Sequence, residues 1–237
     1  MTERTSSSAF TLPRFLLLST ALICLVTCIG DDFIFDEIEP ELRISESIDT
    51  LGVGSTHQLT AIFLNNIGKE EKLDIEWVSS KPQIASVDRE GVITGLEKGD
   101  VIVQASASYN GEMLFAFYPI VIDEETTFVE VTRRSGTLRT TSSYELSGDF
   151  ELTTEVEKML LSFADNYVAD SGLPGLYIYL ANNPNTIGGA HEIGKVAIFE
   201  GAHSYEVSSE VSMTEFKYVL YYCKPFNVKV GDGKFDD

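Results

Sequence analysis

Beyond about residue 40 the chain is a succession of short runs rich in Val, Ile, Thr, Tyr and Phe, cut apart by clusters of Gly, Asn, Asp and Ser. β-Branched and aromatic side chains suit a pleated, half-buried surface, and the small polar residues between them suit tight turns, so the pattern specifies an all-β chain. No Gly-rich phosphate loop and no heptad repeat interrupts it. One stretch is ambiguous. Val156, Met159, Leu160 and Phe163 recur at helical spacing, which on periodicity alone allows a short amphipathic helix.

The first 27 residues follow a different rule. Arg4 and Arg14 precede the apolar run Phe15 to Val26, which is too short to span a bilayer as a helix and suits the hydrophobic part of a signal peptide. The run ends in Leu25-Val26-Thr27-Cys28, which resembles a bacterial lipobox with Thr27 in place of the usual Gly or Ala. The resemblance implies a lipoprotein signal peptide over residues 1–27, cleavage before Cys28, and a lipid on Cys28 that holds the chain to a membrane. A plain secretory signal cleaved nearby is the alternative. Residues 28–40 then read as an acidic tether, with Asp31, Asp32, Asp36, Glu37 and Glu39. The tether resembles the surface-export signal of some Gram-negative lipoproteins, and a solvated linker has the same composition. The address expected is the cell envelope, at the outer membrane or cell surface.

Cleavage there removes Cys24 and leaves Cys223 as the one cysteine of the folded part. An exported chain with a single core cysteine has no disulfide framework, so packed cores must hold it, and its length suggests one or two of them. The formal net charge is −20. That balance excludes nucleic acid as a partner, because phosphate binding needs clustered Lys and Arg. An acidic exterior likewise leaves the lipid on Cys28 as the membrane contact.

Residues 41–124 make a first module. It holds the sole tryptophan in a run from Trp77 to Gly99 that reads W-V-S-S-K-P-Q-I-A-S-V-D-R-E-G-V-I-T-G-L-E-K-G. This run resembles the bacterial Ig-like group-two domain, a β-sandwich used as stalk and adhesive module on bacterial surfaces, and the resemblance implies no catalytic residues. Trp77 is expected to fill the space between two sheets. Asn65-Asn66-Ile67-Gly68-Lys69 departs from the family's proline-bearing loop. The segment Ile122 to Thr127 reads as a polar hinge to the next module.

Residues 125–237 make the second. Leu173-Pro174-Gly175-Leu176-Tyr177-Ile178-Tyr179-Leu180, then Gly201-Ala202-His203-Ser204-Tyr205, then Tyr218-Val219-Leu220-Tyr221-Tyr222-Cys223-Lys224-Pro225-Phe226 resemble in order the marks of the DM-thirteen domain. That family is proposed to act in extracellular electron transfer, and its hallmark cysteine falls on Cys223. The resemblance implies strand, rather than helix, over Met159 to Phe163. Tyr144 and Gly175 stand where the family often has a histidine and an aspartate. Together the two resemblances imply an N-terminal Ig-like β-sandwich followed by a second β-sandwich-like domain.

Alternation along Tyr218 to Cys223 puts Tyr218, Leu220 and Tyr222 on one face and Val219, Tyr221 and Cys223 on the other, so the strand should be central and buried on both sides, with Pro225 ending it. A buried free cysteine is ordinarily a small inert hydrophobe. The resemblance offers two active roles for Cys223, a redox thiol or an axial ligand to a bound haem, with His203 as the accompanying ligand candidate. A copper site has its residue types in His191, His203, Met213 and Cys223, without the close spacing after the cysteine that such sites use. His57 and His191 read as surface polar residues. There is no CxxCH, no HExxH and no nucleophile elbow. The function expected is that of a redox or binding module more than a stand-alone enzyme: an Ig-like spacer presenting a domain that works in extracytoplasmic electron transfer through Cys223, with a redox or surface protein as partner. A non-catalytic adhesive or structural protein is the rival.

Overall fold

The computed structural model describes residues 1–2, 36–155 and 158–236. The chain divides into two compact units, Met1–Phe35 and Asp36–Asp237. The expected signal peptide, the lipidation site Cys28 and the first part of the tether lie outside the described residues, as does Val156. No helix among the described residues is long and apolar enough to cross a membrane.

The unit Asp36–Asp237 is all-β, as the runs predict. Its first module contains β1 (Glu41–Ile44), β2 (Ile48–Gly52), β3 (Thr56–Gln58), β4 (Ala61–Leu64), β5 (Glu70–Glu71), β6 (Glu76–Ser79), β7 (Ala85–Val87), β8 (Val92–Gly95), β9 (Gly99–Tyr109), β10 (Glu112–Asp123) and β11 (Thr127–Phe128). A five-stranded sheet in the order β11-β2-β10-β9-β6 forms one layer, and two three-stranded sheets, β1-β4-β5 and β3-β8-β7, complete the module. Asn110 and Gly111, both at positive φ, make the two-residue turn that reverses β9 into β10, the geometry that matches the twist of a hairpin. Leu51, Ile93, Val101 and Ile122 centre one core cluster, and Leu42, Phe63, Ala105 and Ala116 centre a second. Trp77 packs against both, which is the filling role its place in the sequence predicts.

The second module contains β12 (Arg133–Thr140), β13 (Leu146–Glu155), β14 (Lys158–Phe163), β15 (Val168–Ala169), β16 (Leu176–Ala181), β17 (His191–Lys195), β18 (His203–Val207), β19 (Tyr218–Cys223) and β20 (Val228–Lys234). They form one nine-stranded sheet along the path β17-β16-β19-β20-β12-β13-β14-β18, with β15 paired to β13. The outermost strands β17 and β18 come back beside one another, so the expected sandwich-like domain is realised as one sheet rolled around its own core. Strand β14 settles the ambiguous stretch. It pairs with β13 and β18 and turns Met159, Leu161 and Phe163 inward, a period of two rather than the helical set.

The segment read as a polar hinge is part of the first sheet. Ile122 is core, β11 pairs with β2, and the Val129 amide donates to Ser47 O at 2.6 Å. The modules also touch directly. Arg43 Nη2 donates to Glu215 O at 2.5 Å, and Lys217 is ion-paired to Glu41. The Asn65–Lys69 loop is tightened by Asn65 Oδ1, which accepts from the amides of Ile67 and Lys69 at 3.0 Å each. It lies on the second module, where Asn183 Nδ2 donates to Ile67 O at 3.2 Å and also to Asp36 O. Gly68 sits at φ +78, and a Cβ there would meet Asn183 Cβ at 2.9 Å. The loop's departure from the family pattern is therefore accounted for by docking.

Candidate functional site

Strand β19 lies between β16 and β20, with Cys223 opposite Leu176 on one side and Val228 on the other. Its Val219, Tyr221 and Cys223 enter the main core, while Leu220 and Tyr222 pack on the opposite face with Tyr179, Ala181, Ile187 and Ala190. Both faces are covered, as the apolar alternation requires. Pro225 then closes the strand into a single 3-10 turn, Lys224–Phe226, which ends at Asn227 in the left-handed region. The Lys224 amide donates to Gly175 O at 3.0 Å, and a Cβ on Gly175 would meet Pro225 Cδ at 2.5 Å. An aspartate at position 175 has no room, which is the physical reason for the departure at that position.

These constraints place Cys223, 0 % exposed, at the floor of a cavity of about 300 Å³ whose walls include Tyr144, Leu173, Pro174, Phe226 and Val228. Phe226, 64 % exposed, and Tyr144 stand at its rim. No basic side chain lines it. Lys224, the cation next in sequence, faces the other way: its Nζ donates to Glu192 Oε2 at 2.7 Å and lies 5.0 Å over the Tyr177 ring. Hydrogen bonding to Lys224 holds the Glu192 carboxyl below the usual carboxylate range, and Tyr179 Oη donates to the same oxygen at 2.9 Å.

His203 is not in this cavity. It lies on β18, opposite Phe163 of β14, where its ring stacks on Phe163 at 5.0 Å and meets Tyr167 at 4.6 Å. Its Nδ1 lies 2.8 Å from Gly201 O, and its Nε2 is buried without a partner. The pairing of Cys223 with His203 as one cofactor-binding set is corrected by this placement, because separate strands carry the two into different surroundings. A haem fits poorly for a second reason. Small-molecule cavities run from ~300 to 1,000 Å³, and a space at the lower end does not enclose a macrocycle. His191 lies on β17 with its ring 6.4 Å from Phe216, and His57 is bonded to Glu46 at 2.8 Å rather than lying free on the surface.

Two features were missed in the sequence. Tyr167 and Tyr221 are both fully buried, and burial pushes the Tyr167 hydroxyl up to about 12 and that of Tyr221 well above its ordinary value. The two hydroxyls are close enough to influence each other's ionisation, but neither has a hydrogen-bond partner in good geometry. Asp232, also fully buried, receives Arg139 Nε at 3.1 Å and Lys229 Nζ at 2.5 Å. The Lys229 contact has the distance of an ion pair but not the angle of a hydrogen bond. The placement of Asp232 between Gly231 and Gly233 in a strand-like run was the available signal.

Residues 40–112 match the bacterial Ig-like domain (group 2). The matched stretch begins just before β1 and ends at the start of β10, while the five-stranded sheet continues to Phe128. No curated protein matches the chain. The N-terminal module is thus an Ig-like domain, of the kind compatible with a surface or spacer protein.

Proposed function

We propose that this is a cell-envelope lipoprotein, anchored through Cys28, in which the Ig-like module holds a DM-thirteen-like domain that takes part in extracytoplasmic electron transfer through the thiol of Cys223. The observation that supports this reading is the position of the sulfur: shielded from bulk water, yet at the floor of an apolar cavity rimmed by aromatic side chains. Such a cavity suits a small apolar oxidant such as an organic hydroperoxide. Attack by sulfur forms an S–O bond, breaks the O–O bond and releases an alcohol, leaving a sulfenic acid; a partner thiol condenses with it to a mixed disulfide and water, and a second partner thiol exchanges with that disulfide to return the Cys223 thiol. A haem has no part in this reading.

A second reading is favoured by the same burial. Cys223 belongs to the main core cluster with Leu176, Val219 and Tyr221, and a thiol so placed is ordinarily a packing residue. Both modules then only bind or space. The experiment is to treat the folded mature chain with N-ethylmaleimide and an alkyl hydroperoxide, reading Cys223 by peptide mass, beside the unfolding midpoint of Cys223→Ser. Modification before unfolding, with a near-native midpoint for the variant, is expected. No modification and a loss of about 1 to 3 kcal/mol, the cost of an unpartnered hydroxyl in an apolar site, would make the residue packing alone. The anchor is tested separately: Cys28→Ser should move the protein from membrane to soluble fractions, and unchanged fractionation sinks that part.

A further inference from the structure

Strand β10 is apolar on both faces, as β19 is, but one of its faces is left open. Leu114, Ala116, Ile120 and Ile122 turn inward to the module's cores. Met113, Phe115, Phe117 and Val121 turn outward and stand exposed, Phe115 by 51 % and Phe117 by 63 %, their rings stacked 6.5 Å apart. The register carries the patch across the sheet. Gln104 of β9 lies between Phe117 and Val78 of β6, and Ile102 lies opposite Pro119; both Val78 and Ile102 are exposed. Antiparallel sheets with one solvated face normally alternate apolar with polar residues, so an open face of this composition is an interaction surface by its chemistry.

The charge around the face says what covers it. Asp49, Glu76 and Asp100 are exposed at its border and, among the described residues, none of the three is ion-paired. One cation, Lys81, stands among them, and its ammonium donates to Asp100 O at 2.8 Å. Next to Asp49 and Asp100 a depression of about 480 Å³ opens between Ile102, Pro119 and Val121. A second copy would set the same carboxylates against themselves on a chain of net charge −20. Strands ~4.8 Å apart with ~3.4 Å rise per residue, over about eight residues in β9 and β10 and four in β6, make a face of roughly 330 Å², less than half of what each partner buries in a stable complex of standard size. Apolar area alone therefore does not suffice, and cations at the border of the partner must complete it.

We propose that the open face of β6, β9 and β10 is a docking surface for another protein that presents an apolar stripe bordered by lysine or arginine. The probe is a labelled peptide with a central run of alternating valine and phenylalanine and two lysines at each end, titrated into the full-length chain by fluorescence anisotropy. Its control carries glutamates at both ends. The lysine-ended peptide should bind, the control should not, and Phe115→Ser/Phe117→Ser should weaken binding at least tenfold without moving the unfolding midpoint, since both rings are largely in solvent. Glu76→Gln/Asp100→Asn should weaken it severalfold and flatten its salt dependence. Binding unchanged by the phenylalanine variant would reduce the effect to bulk attraction and overturn the proposal. So would no binding at all, or self-association in sedimentation velocity that the same variant abolishes, which would make the occupant a second copy. Flotation with phosphatidylcholine vesicles, lost in that variant, would assign the face to a membrane instead.

Discussion

At the scale of single residues, the most informative side chains are those whose polar atoms end in the core. Tyr167 and Tyr221 each bury a hydroxyl without a partner, and such a group costs more than it returns. Tyr221→Phe is therefore expected to stabilise the protein by about 1 kcal/mol, read as a raised denaturation midpoint; a clear loss would mean that the Tyr221 hydroxyl is satisfied in solution. The sign of the pH dependence follows from the same burial. Both hydroxyls are raised in the folded state, so folding keeps protons that the unfolded chain gives up. Stability is full below a tyrosine's ordinary value and falls as pH rises from ~10 toward the folded value. Absorbance at alkaline pH should show a set of tyrosines, Tyr221 among them, that ionise only as the protein unfolds, and one fewer of them in the Tyr221→Phe variant. None of this was legible in the sequence, because a tyrosine in a strand run looks the same whether or not its hydroxyl finds a partner. Gly175 is similar. Its identity stood out as a departure, but the reason, the ring of Pro225 against it, is a contact across 50 positions of chain.

At the scale of elements, the alternation rule performed unevenly, and for a physical reason. It read β19 correctly, because a strand apolar on both faces must be covered on both, and here the Ile187–Ala190 stretch and the main core supply the covers. The same rule applied to β10 would have predicted a central strand buried on both sides. In the protein β10 does have neighbours on either side in the sheet, β2 and β9, but among the described residues no layer covers one face of the sheet. Local pattern records a side chain's need for cover and is silent on whether the cover belongs to the same chain. Strand β14 shows the converse, where Met159 and Phe163 served both a helical and an alternating pattern and the hydrogen bonds to β13 and β18 chose between them. The cavity over Cys223 was half legible: the strand and its proline stop were in the sequence, whereas the walls from Tyr144, Leu173 and Pro174 arrive from elsewhere in the chain.

At the scale of the whole molecule, two modules are distinguishable in sequence, and contacts between their loops and charged residues bind them. Such contacts carry no periodic signature, which is why the Asn65–Lys69 loop could only be seen as atypical. With Lys217 ion-paired to Glu41, Arg43 bonded to Glu215 O and the Gly68 turn seated on Asn183, the two modules should unfold in one calorimetric transition. Gly68→Val forces a β-branched residue to positive φ against a neighbour and should lower stability by about 1 to 3 kcal/mol, and with Asn183→Ala should split the transition in two. A single transition at an unchanged midpoint in the double variant would show that the loop contact binds nothing. Asp36, the first residue of the unit Asp36–Asp237, has its carbonyl held by Asn183 of the second module, and two residues on the Ile38 amide donates to Asn66 O of the first. If the chain is anchored ahead of Asp36, as proposed, a pull from that side arrives where both modules grip the chain at once. Such a load would be shared across them from Asp36 onward instead of running through the Ig-like module and then the next, and the protein should resist it as a rivet rather than as two beads on a string.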